Sequence, residues 1–304
     1  MNGSYQYCIN LTGSPVCGPN VINMNSAYFH CRNLTGNPAC GDNVIHMQNA
    51  YSSCNNLTGS PVCGPNVEYM TGTYTNCSNL TGNPVCGPNV KSLFWTYYNC
   101  LNLTGSPVCG NNVETMEWAY LGCSNLTGEP VCGPNVVSLY GAYSGCTNIS
   151  GNAICGPNVT NMDYAYRDCK NITRADCGDL VTSFNGTYTG CINLIYAACG
   201  NNVISMNNTY ADLPKLQFPA CGTNVTSMTY TYSNCPSIIK AVCGPNVTSM
   251  YRAYSGCTNL TKAVCGPKVT DIQYTYINCH NLKEAVCGDN VWQMVSAYSD
   301  CYNL

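Results

Sequence analysis

Charged side chains are scarce in this sequence. Among 304 residues there are 11 lysines and arginines and 14 aspartates and glutamates, so charged residues make up 8% of the chain. A typical globular domain has about a quarter. A surface that binds nucleic acid electrostatically needs a basic stripe to neutralise phosphates. The composition therefore excludes a nucleic-acid-binding protein of that kind.

Long apolar runs and histidines are also few. Asn, Gly and Thr interrupt every hydrophobic segment, so no run approaches the roughly 18 apolar residues of a transmembrane helix, and we expect no membrane insertion. The three histidines, His30, His46 and His280, occupy unrelated positions of the repeat described below. No Gly-x-Ser-x-Gly sequence or phosphate-binding loop occurs. Without a unique nucleophile or base, the sequence predicts a protein that is not an enzyme and has no cofactor.

What the chain has instead is repetition. It contains 26 Cys, 24 Tyr, 28 Gly and 41 Asn, and the motif Tyr-x-x-Cys recurs about thirteen times along its length. The step is 23 residues from Cys8 to Cys169 and 22 residues from Cys169 to Cys301. We therefore predict two continuous blocks without a linker: residues 1–168 with the longer repeat, and residues 169–304 with the shorter one.

Each repeat consists of one strand-like segment, one turn and one helix-like segment. The residues ending in Val-Cys-Gly or Ala-Cys-Gly alternate as a strand does, and Gly-Pro-Asn then turns the chain. Val21, Met24 and Tyr28 follow at spacings of three and four residues, which predicts a helical or 3₁₀ turn with one buried face. Because so small a unit cannot bury its apolar side alone, neighbours must stack. The predicted fold is a repeat solenoid with short parallel β-strands on one face, helical or 3₁₀ turns and loops on the other, and a buried Tyr ladder.

Two segments carry the motif most clearly, Cys146-Thr-Asn-Ile149 and Ala253-Tyr254-Ser-Gly-Cys257. They resemble the BspA-like, or treponemal-type, leucine-rich repeat, whose pattern contains Cys-x-x-Leu and Ala-Phe-x-x-Cys. The resemblance covers the whole chain, although Tyr replaces Phe, Cys replaces the second Ile of the strand and Gly-Pro-Asn replaces the Pro turn. Proteins of that family occur as bacterial surface adhesins, as surface proteins of parasitic protists and in tailed-phage structural proteins. The resemblance implies a leucine-rich-repeat solenoid and a role in binding or scaffolding.

The cysteines are compatible with more than one chemical state. Their spacings alternate between nine or eight and 14 residues, unlike the spacings of metal-ligand clusters, so no metal site is predicted. A disulfide within each repeat would close a loop of about ten residues and contribute on the order of 3 kcal/mol. However, Leu213 occupies one Cys position while its neighbour Cys221 remains. That substitution favours free thiols packed as small apolar groups, with disulfides as the alternative.

Sixteen Asn-x-Ser/Thr sequences mark candidate glycosylation sites. Nine of them fall at one position of the repeat: Asn10, Asn33, Asn56, Asn79, Asn102, Asn125, Asn148, Asn171 and Asn259. Asn also occupies this position at Asn193 and Asn281, where no Ser or Thr follows. A structural role in a turn therefore explains the Asn without sugar, and both interpretations stay open.

Positions that vary while the repeat frame stays fixed are candidates for ligand binding. One line of such positions lies just before the short strands of the second block: Arg174, Tyr196, Phe218, Lys240, Lys262 and Glu284. The equivalent positions of the first block are mostly Ser or Asn: Ser14, Asn37, Ser60, Asn83, Ser106, Glu129 and Asn152. A second variable line follows the Met and carries aromatic rings: Trp95, Trp118, Tyr164, Tyr230 and Tyr274. Rings exposed there are suited to stacking on sugars or on another chain.

The ends of the chain fall within repeats. Met1 occupies the Met position of the repeat, and neither end offers the polar cap that a solenoid needs for solubility. We expect a segment of a longer protein or a protomer whose ends stack on neighbours. The expected function is a structural or adhesive part of an extracellular fibre, on a cell or virion surface, that binds a glycan or protein partner. The alternative is a protomer of an extracellular filament that self-associates end to end.

Overall fold

The computed structural model describes residues 1–304 as two compact units, residues 1–150 and residues 151–304. Each unit is a stack of repeats, and the change of repeat length at Cys169 falls inside the second unit. The four regular strands are short and follow in chain order: β1 (Ser150–Asn152), β2 (Asn171–Arg174), β3 (Lys262–Val264) and β4 (Glu284–Val286). Strand β1 pairs with β2, and β3 pairs in parallel with β4.

The segment from the Met to the second Cys of each repeat is a run of single turns. Alternate N–H groups donate within the repeat, as from Ala27 to the Met24 carbonyl at 2.9 Å. The intervening N–H groups donate to the next repeat, as from Tyr28 to the Ala50 carbonyl at 2.8 Å. Because every second N–H leaves its own repeat, the continuous bonding of a helix cannot form. The prediction of helical or 3₁₀ turns here is wrong.

These turns need a left-handed backbone at two positions of every repeat. In the second repeat the positions are Ser26, with φ of 51°, and His30, with φ of 60°. Each is the third residue of a hydrogen-bonded turn, as in a type II β-turn, where Gly and Asn are preferred. From the fourth repeat onward the position of His30 is accordingly held by Asn, Asp or Gly: Asn76, Asn99, Gly122, Gly145, Asp168, Gly190, Asp212, Asn234, Gly256, Asn278 and Asp300.

Rows of equivalent, mostly similar side chains form the core of each unit. In the third repeat, Val44, Met47, Tyr51, Cys54 and Leu57 are all fully buried, and their counterparts in the other inner repeats are buried too. Within each unit the Tyr rings stack nearly parallel, with centroids of neighbouring rings 5.1 to 5.9 Å apart. The predicted buried Tyr ladder is therefore confirmed.

Each buried Tyr hydroxyl closes its own repeat. The Tyr74 Oη accepts a hydrogen bond from the Val62 N–H at 3.0 Å and donates one to the Val62 carbonyl at 2.7 Å. The hydroxyl of Tyr51 makes the same two bonds to Ala39, again twelve residues earlier. Burial raises the pKa of Tyr74 well above its usual value, so the hydroxyl keeps the proton that it donates.

In the first unit, the parallel bridges lie between the Val and the Met of each repeat. They join one row of residues: Asn23, His46, Tyr69, Ser92, Thr115 and Ser138. The strand predicted before Cys-Gly does not form in the Gly-x-Pro repeats of this unit. Gly13 has a φ of 85°, and Pro15 has no N–H to offer to a neighbouring strand. The chain therefore loops where a strand was expected.

The shorter repeats of the second unit form parallel bridges at this place. They lack the left-handed Gly, and most of them have Ala in place of Pro. Ala197 donates its N–H to the Phe218 carbonyl at 3.0 Å, and Ala241 donates to the Lys262 carbonyl at 3.2 Å. Deletion of one residue per repeat thus converts a looped segment into a parallel β-ladder.

We expect Tyr74→Phe to destabilise the fold. The substitution leaves the partly buried Val62 N–H and carbonyl without partners, at a cost of about 1 to 3 kcal/mol in the free energy of unfolding. Tyr98→Phe is the matched control, because the half-buried Tyr98 hydroxyl has no hydrogen bond. Urea denaturation followed by circular dichroism measures both, and equal losses in the two variants would contradict the role of the Tyr74 hydroxyl.

Candidate functional site

The six residues of the first predicted ligand line lie next to one another along the second unit. β-Bridges join Arg174 to Tyr196, Tyr196 to Phe218, Lys240 to Lys262 and Lys262 to Glu284. All six residues are exposed, and we call them the strip. The structure therefore brings the predicted residues together, while ligand binding by the strip stays a prediction.

Tyr196 and Phe218 form the aromatic part of the strip. Their ring centroids lie 4.8 Å apart and the ring planes differ by 6°. The two residues are 54% and 51% exposed, so this stacked pair is half open to solvent. It offers a flat apolar surface that lies outside the core.

The charges of the strip are only partly compensated. The Lys262 Nζ lies 2.8 Å from the Glu284 Oε2, and this hydrogen bond lowers the pKa of the Glu284 carboxyl. Arg174 and Lys240 take part in no ion pair. The strip therefore keeps two free positive charges in a chain whose net charge is −3.

Pro219 interrupts the β-ladder of the strip. Phe218 and Lys240 are each bridged to their other neighbours but not to one another, because Pro219 lacks the N–H that Ala supplies in adjacent repeats. A groove of about 920 Å³ lies at this break, and Phe218, Ile239, Lys240 and Lys283 are among its lining residues. Sequence reasoning missed the groove, although a Pro at a position that is Ala in adjacent repeats was a usable signal.

Most of the equivalent side chains of the first unit are small and packed against the following repeat. A Cβ on Gly36 would collide with the Ser14 side chain, and a Cβ on Gly59 would collide with Asn37. These Ser and Asn residues cover the backbone of a left-handed Gly, which limits how large they can be. The contrast with the strip thus follows from the extra Gly of the longer repeat.

The second predicted line has a property that its sequence does not reveal. Trp95, Trp118, Tyr164, Tyr230 and Tyr274 all have left-handed backbones, with φ between 54° and 57°. For residues with a Cβ this conformation costs about 1 to 2 kcal/mol. Bulky aromatic residues at such positions are unusual in proteins and are concentrated where function requires them.

Sequence reasoning missed Arg252, which occupies the same position with a φ of 52°. Its guanidinium carbon lies 4.9 Å from the centroid of the Tyr274 ring and 5.7 Å from that of Tyr230. Cation–π attraction therefore holds the arginine between two rings of the predicted line. Its side-chain charge was visible in the sequence, but its stacking on the aromatic line was not.

All 26 cysteines are free thiols in the structure. Those of the inner row donate hydrogen bonds to Tyr carbonyls of the preceding repeat, as Cys54 does to the Tyr28 carbonyl at 3.0 Å. Those of the outer row are half buried except for the exposed Cys287, and burial raises the pKa of Cys63 to about 12 and that of Cys40 to about 11. At neutral pH the Cys40 and Cys63 thiols therefore stay protonated, so they are poor nucleophiles and poor metal ligands.

The Asn residues at the nine candidate glycosylation sites of the repeat are exposed. Their side-chain amides also bond between repeats, as from the Asn281 Nδ2 to the Asn259 Oδ1 at 3.2 Å and from the Asn125 Nδ2 to the Asn102 Oδ1 at 3.5 Å. These bonds give the Asn row a structural role without sugar. Glycosylation of the row stays a prediction.

Stacked repeats with an aliphatic, Cys and Tyr core and parallel bridges define a leucine-rich-repeat solenoid. Comparison with solved structures confirms this fold class. The chain is similar to a leucine-rich-repeat protein from Bacteroides ovatus, with a TM-score of 0.53 and 14% identity over 96% of this chain and 73% of that one. At this level of identity the likeness concerns the fold alone.

Two further solved structures are similar to the chain, with TM-scores below 0.5. One is a leucine-rich cell surface protein from Faecalibacterium prausnitzii, with a TM-score of 0.47 and 17% identity over 87% of this chain and 76% of that one. The other is YopM from Yersinia enterocolitica, with a TM-score of 0.47 and 13% identity over 92% of this chain and 60% of that one. No protein-family model and no curated protein sequence matches the chain. The structure contains no helix that could cross a membrane.

We expect the thiols to react in two stages as the pH rises. Near pH 8 a thiol reagent should modify the exposed Cys8 and Cys287 first, because a raised pKa leaves little thiolate in the buried rows. The half-buried thiols of Cys40 and Cys63, with pKa values of about 11 and about 12, should react only well above pH 9. Mass spectrometry after alkylation at a series of pH values measures each site.

The same experiment counts the thiols. Denaturation without reductant should release all 26. Recovery of only two thiols, those of Cys221 and Cys301, would mean that the other cysteines pair within their repeats, and it would contradict the free-thiol core.

Proposed function

We propose that this chain is a non-enzymatic, adhesive leucine-rich-repeat protein that holds an extended, acidic segment of a partner protein. The ligand lies on the strip and in the adjoining groove of the second unit. One observation carries the proposal: the stacked, half-exposed rings of Tyr196 and Phe218 lie beside the unpaired charge of Lys240, where Pro219 interrupts the ladder. The repeat fold supports a binding role, since stacked repeats create extended surfaces.

The direction of the strip favours an extended ligand. Its members come from successive repeats, so they follow one another at the spacing of parallel strands, about 4.8 Å. A compact small molecule would touch only two or three of them, whereas an extended peptide contacts the whole row. Peptides are commonly recognised in this form along the edges and faces of sheets.

The charge of the strip favours an acidic ligand. Arg174 and Lys240 are unpaired, and Lys283 adds a third positive charge in the groove, whose lining contains no carboxylate. The only carboxylate of the strip, Glu284, is already bonded to Lys262. Complementary charge accelerates association and aligns the partner, while buried aromatic anchors supply most of the affinity.

We place the protein outside the cell, on a cell or virion surface. Its low content of charged residues supports that location. Free thiols such as those of Cys63 and Cys40 are compatible with an oxidising environment because burial and raised pKa values protect them from oxidation. Adhesion to a partner protein at such a surface is the role that the strip supports best.

A triple variant tests the strip. Tyr196→Ser, Phe218→Ser and Lys240→Asn introduce the residue types that the first unit has at these positions. Since all three side chains are exposed, the free energy of unfolding should change little, by about 0.5 kcal/mol per site or less. A fluorescent copolymer of glutamate and tyrosine serves as the acidic peptide probe, and fluorescence polarisation should show a Kd raised by about tenfold or more.

Lys170→Asn is the matched control, because it removes the same charge from an exposed position outside the strip. It should leave the Kd nearly unchanged. Equal binding by the parent and the triple variant would refute the role of the strip. Tighter binding of hyaluronan than of the copolymer, with the same dependence on the three residues, would identify an anionic glycan as the ligand and exclude the acidic peptide.

A further inference from the structure

One left-handed position divides the repeats into two groups. Eight repeats fill it with a small residue, which in six of them is Gly or Asn, the types that tolerate this backbone: Gly3, Ser26, Asn49, Gly72, Gly141, Gly186, Asn208 and Ser296. Six repeats fill it with a large side chain: Trp95, Trp118, Tyr164, Tyr230, Arg252 and Tyr274. The fold therefore does not need a large residue here, and each one is present against the preference of the backbone.

The ring of Trp118 lies flat against the next repeat. A Cβ on Gly141 would collide with the Cε3 and Cζ3 atoms of that ring, so the indole covers the Gly141 backbone. The Tyr140 ring meets it edge-on, with a centroid distance of 4.6 Å and an interplanar angle of 85°. The Trp118 indole is thus held in one orientation, with one face against the protein and part of its surface exposed to solvent.

Trp95 occupies the same position one repeat earlier and is 45% exposed. The Phe94 ring stacks on it at 5.0 Å, and the Tyr98 ring lies 6.2 Å away. The backbone N–H of Trp95 donates to the Glu117 carbonyl at 3.1 Å, and this bond joins the two repeats that carry the tryptophans. We call Phe94, Trp95, Tyr98, Trp118 and Tyr140 the aromatic platform.

The charges near the aromatic platform are negative. Glu117 precedes Trp118, and Glu114 lies three residues before Glu117. The nearest lysine in the sequence, Lys91, is bonded to Glu68 at 2.6 Å. An anionic ligand is therefore disfavoured, whereas the carboxylates are good acceptors for hydroxyl groups.

We infer that the aromatic platform of the first unit binds an uncharged, β-linked hexose chain. In β-linked glucose units the ring hydroxyls are equatorial, so each ring face presents C–H groups that pack on the negative face of an aromatic ring. The indole rings of Trp95 and Trp118 come from consecutive repeats and offer such faces in a row. The Glu117 carboxylate, next to Trp118 in the chain, accepts hydrogen bonds from the sugar hydroxyls. The site is separate from the strip and uses none of its residues.

Titration with defined oligosaccharides tests this inference. Cellohexaose and laminarihexaose are the probes, and polygalacturonate is the anionic comparison. The parent protein should bind at least one of the two neutral probes, seen as a change in tryptophan fluorescence and as heat in calorimetry, and should bind polygalacturonate more weakly. Binding of neither neutral probe, or preference for polygalacturonate, would overturn the inference.

Two variants separate binding from structure. Trp95→Asn and Trp118→Gly introduce residues that other repeats carry at this position, as at Asn49 and Gly141. Each should raise the calorimetric Kd at least about tenfold while leaving Tm unchanged or higher, because backbone strain is relieved. A large fall in Tm would show that the rings stabilise the fold. An unchanged Kd would show that they do not contact the oligosaccharide.

Two controls complete the design. Trp292→Asn removes the third tryptophan, which is 72% exposed and lies in the other unit, and it should not alter the Kd. The strip variant with Tyr196→Ser, Phe218→Ser and Lys240→Asn should bind the neutral oligosaccharide as the parent does. Loss of oligosaccharide binding in either control would contradict a site confined to the aromatic platform.

Discussion

A tyrosine hydroxyl buried in every inner repeat is the constraint on which this structure depends. A phenol in the core must find hydrogen-bond partners there, and Tyr74 finds both at Val62, twelve residues earlier. The bonds fix the distance across each repeat and satisfy the backbone of a segment that, in the first unit, has no strand neighbour. The Tyr ring of the next repeat stacks on this Tyr ring. The distance that the hydroxyl spans must therefore be the same in every repeat.

The thiols also stabilise the stack of repeats, and they do so as hydrogen-bond donors rather than as disulfide cross-links. The Cys54 thiol donates to the Tyr28 carbonyl of the preceding repeat at 3.0 Å, and the Asn of Gly-Pro-Asn acts similarly, as from Asn89 to the Pro65 carbonyl at 3.0 Å. Leu213 at a Cys position shows that packing can replace one such bond. Since these bonds satisfy the core, residues on the surface vary without loss of the fold.

The two candidate sites exploit that freedom in different ways. In the second unit, the repeats lack a left-handed Gly and form a β-ladder at this place. Tyr196 and Lys240 project from this ladder without a conformational cost to the backbone. In the first unit, Trp95 and Trp118 sit where the backbone favours Gly or Asn. These two tryptophans are therefore opposed by local conformational energy, which makes selection for binding the better explanation of their presence.

The sequence by itself determined the period, the solenoid, the buried rows and the adjacency of strip residues, because a fixed spacing in a stacked repeat places equivalent side chains in line. The rest required the tertiary structure. The spacing of Val21, Met24 and Tyr28 is the same in a helix and in consecutive β-turns, and only bonding between repeats decided for turns. The left-handed backbone at Trp118 follows from those turns, and the break beside Pro219 shows only where the next repeat would have accepted the missing N–H. Such contacts depend on which residues face each other after stacking, and spacing along one chain does not contain that information.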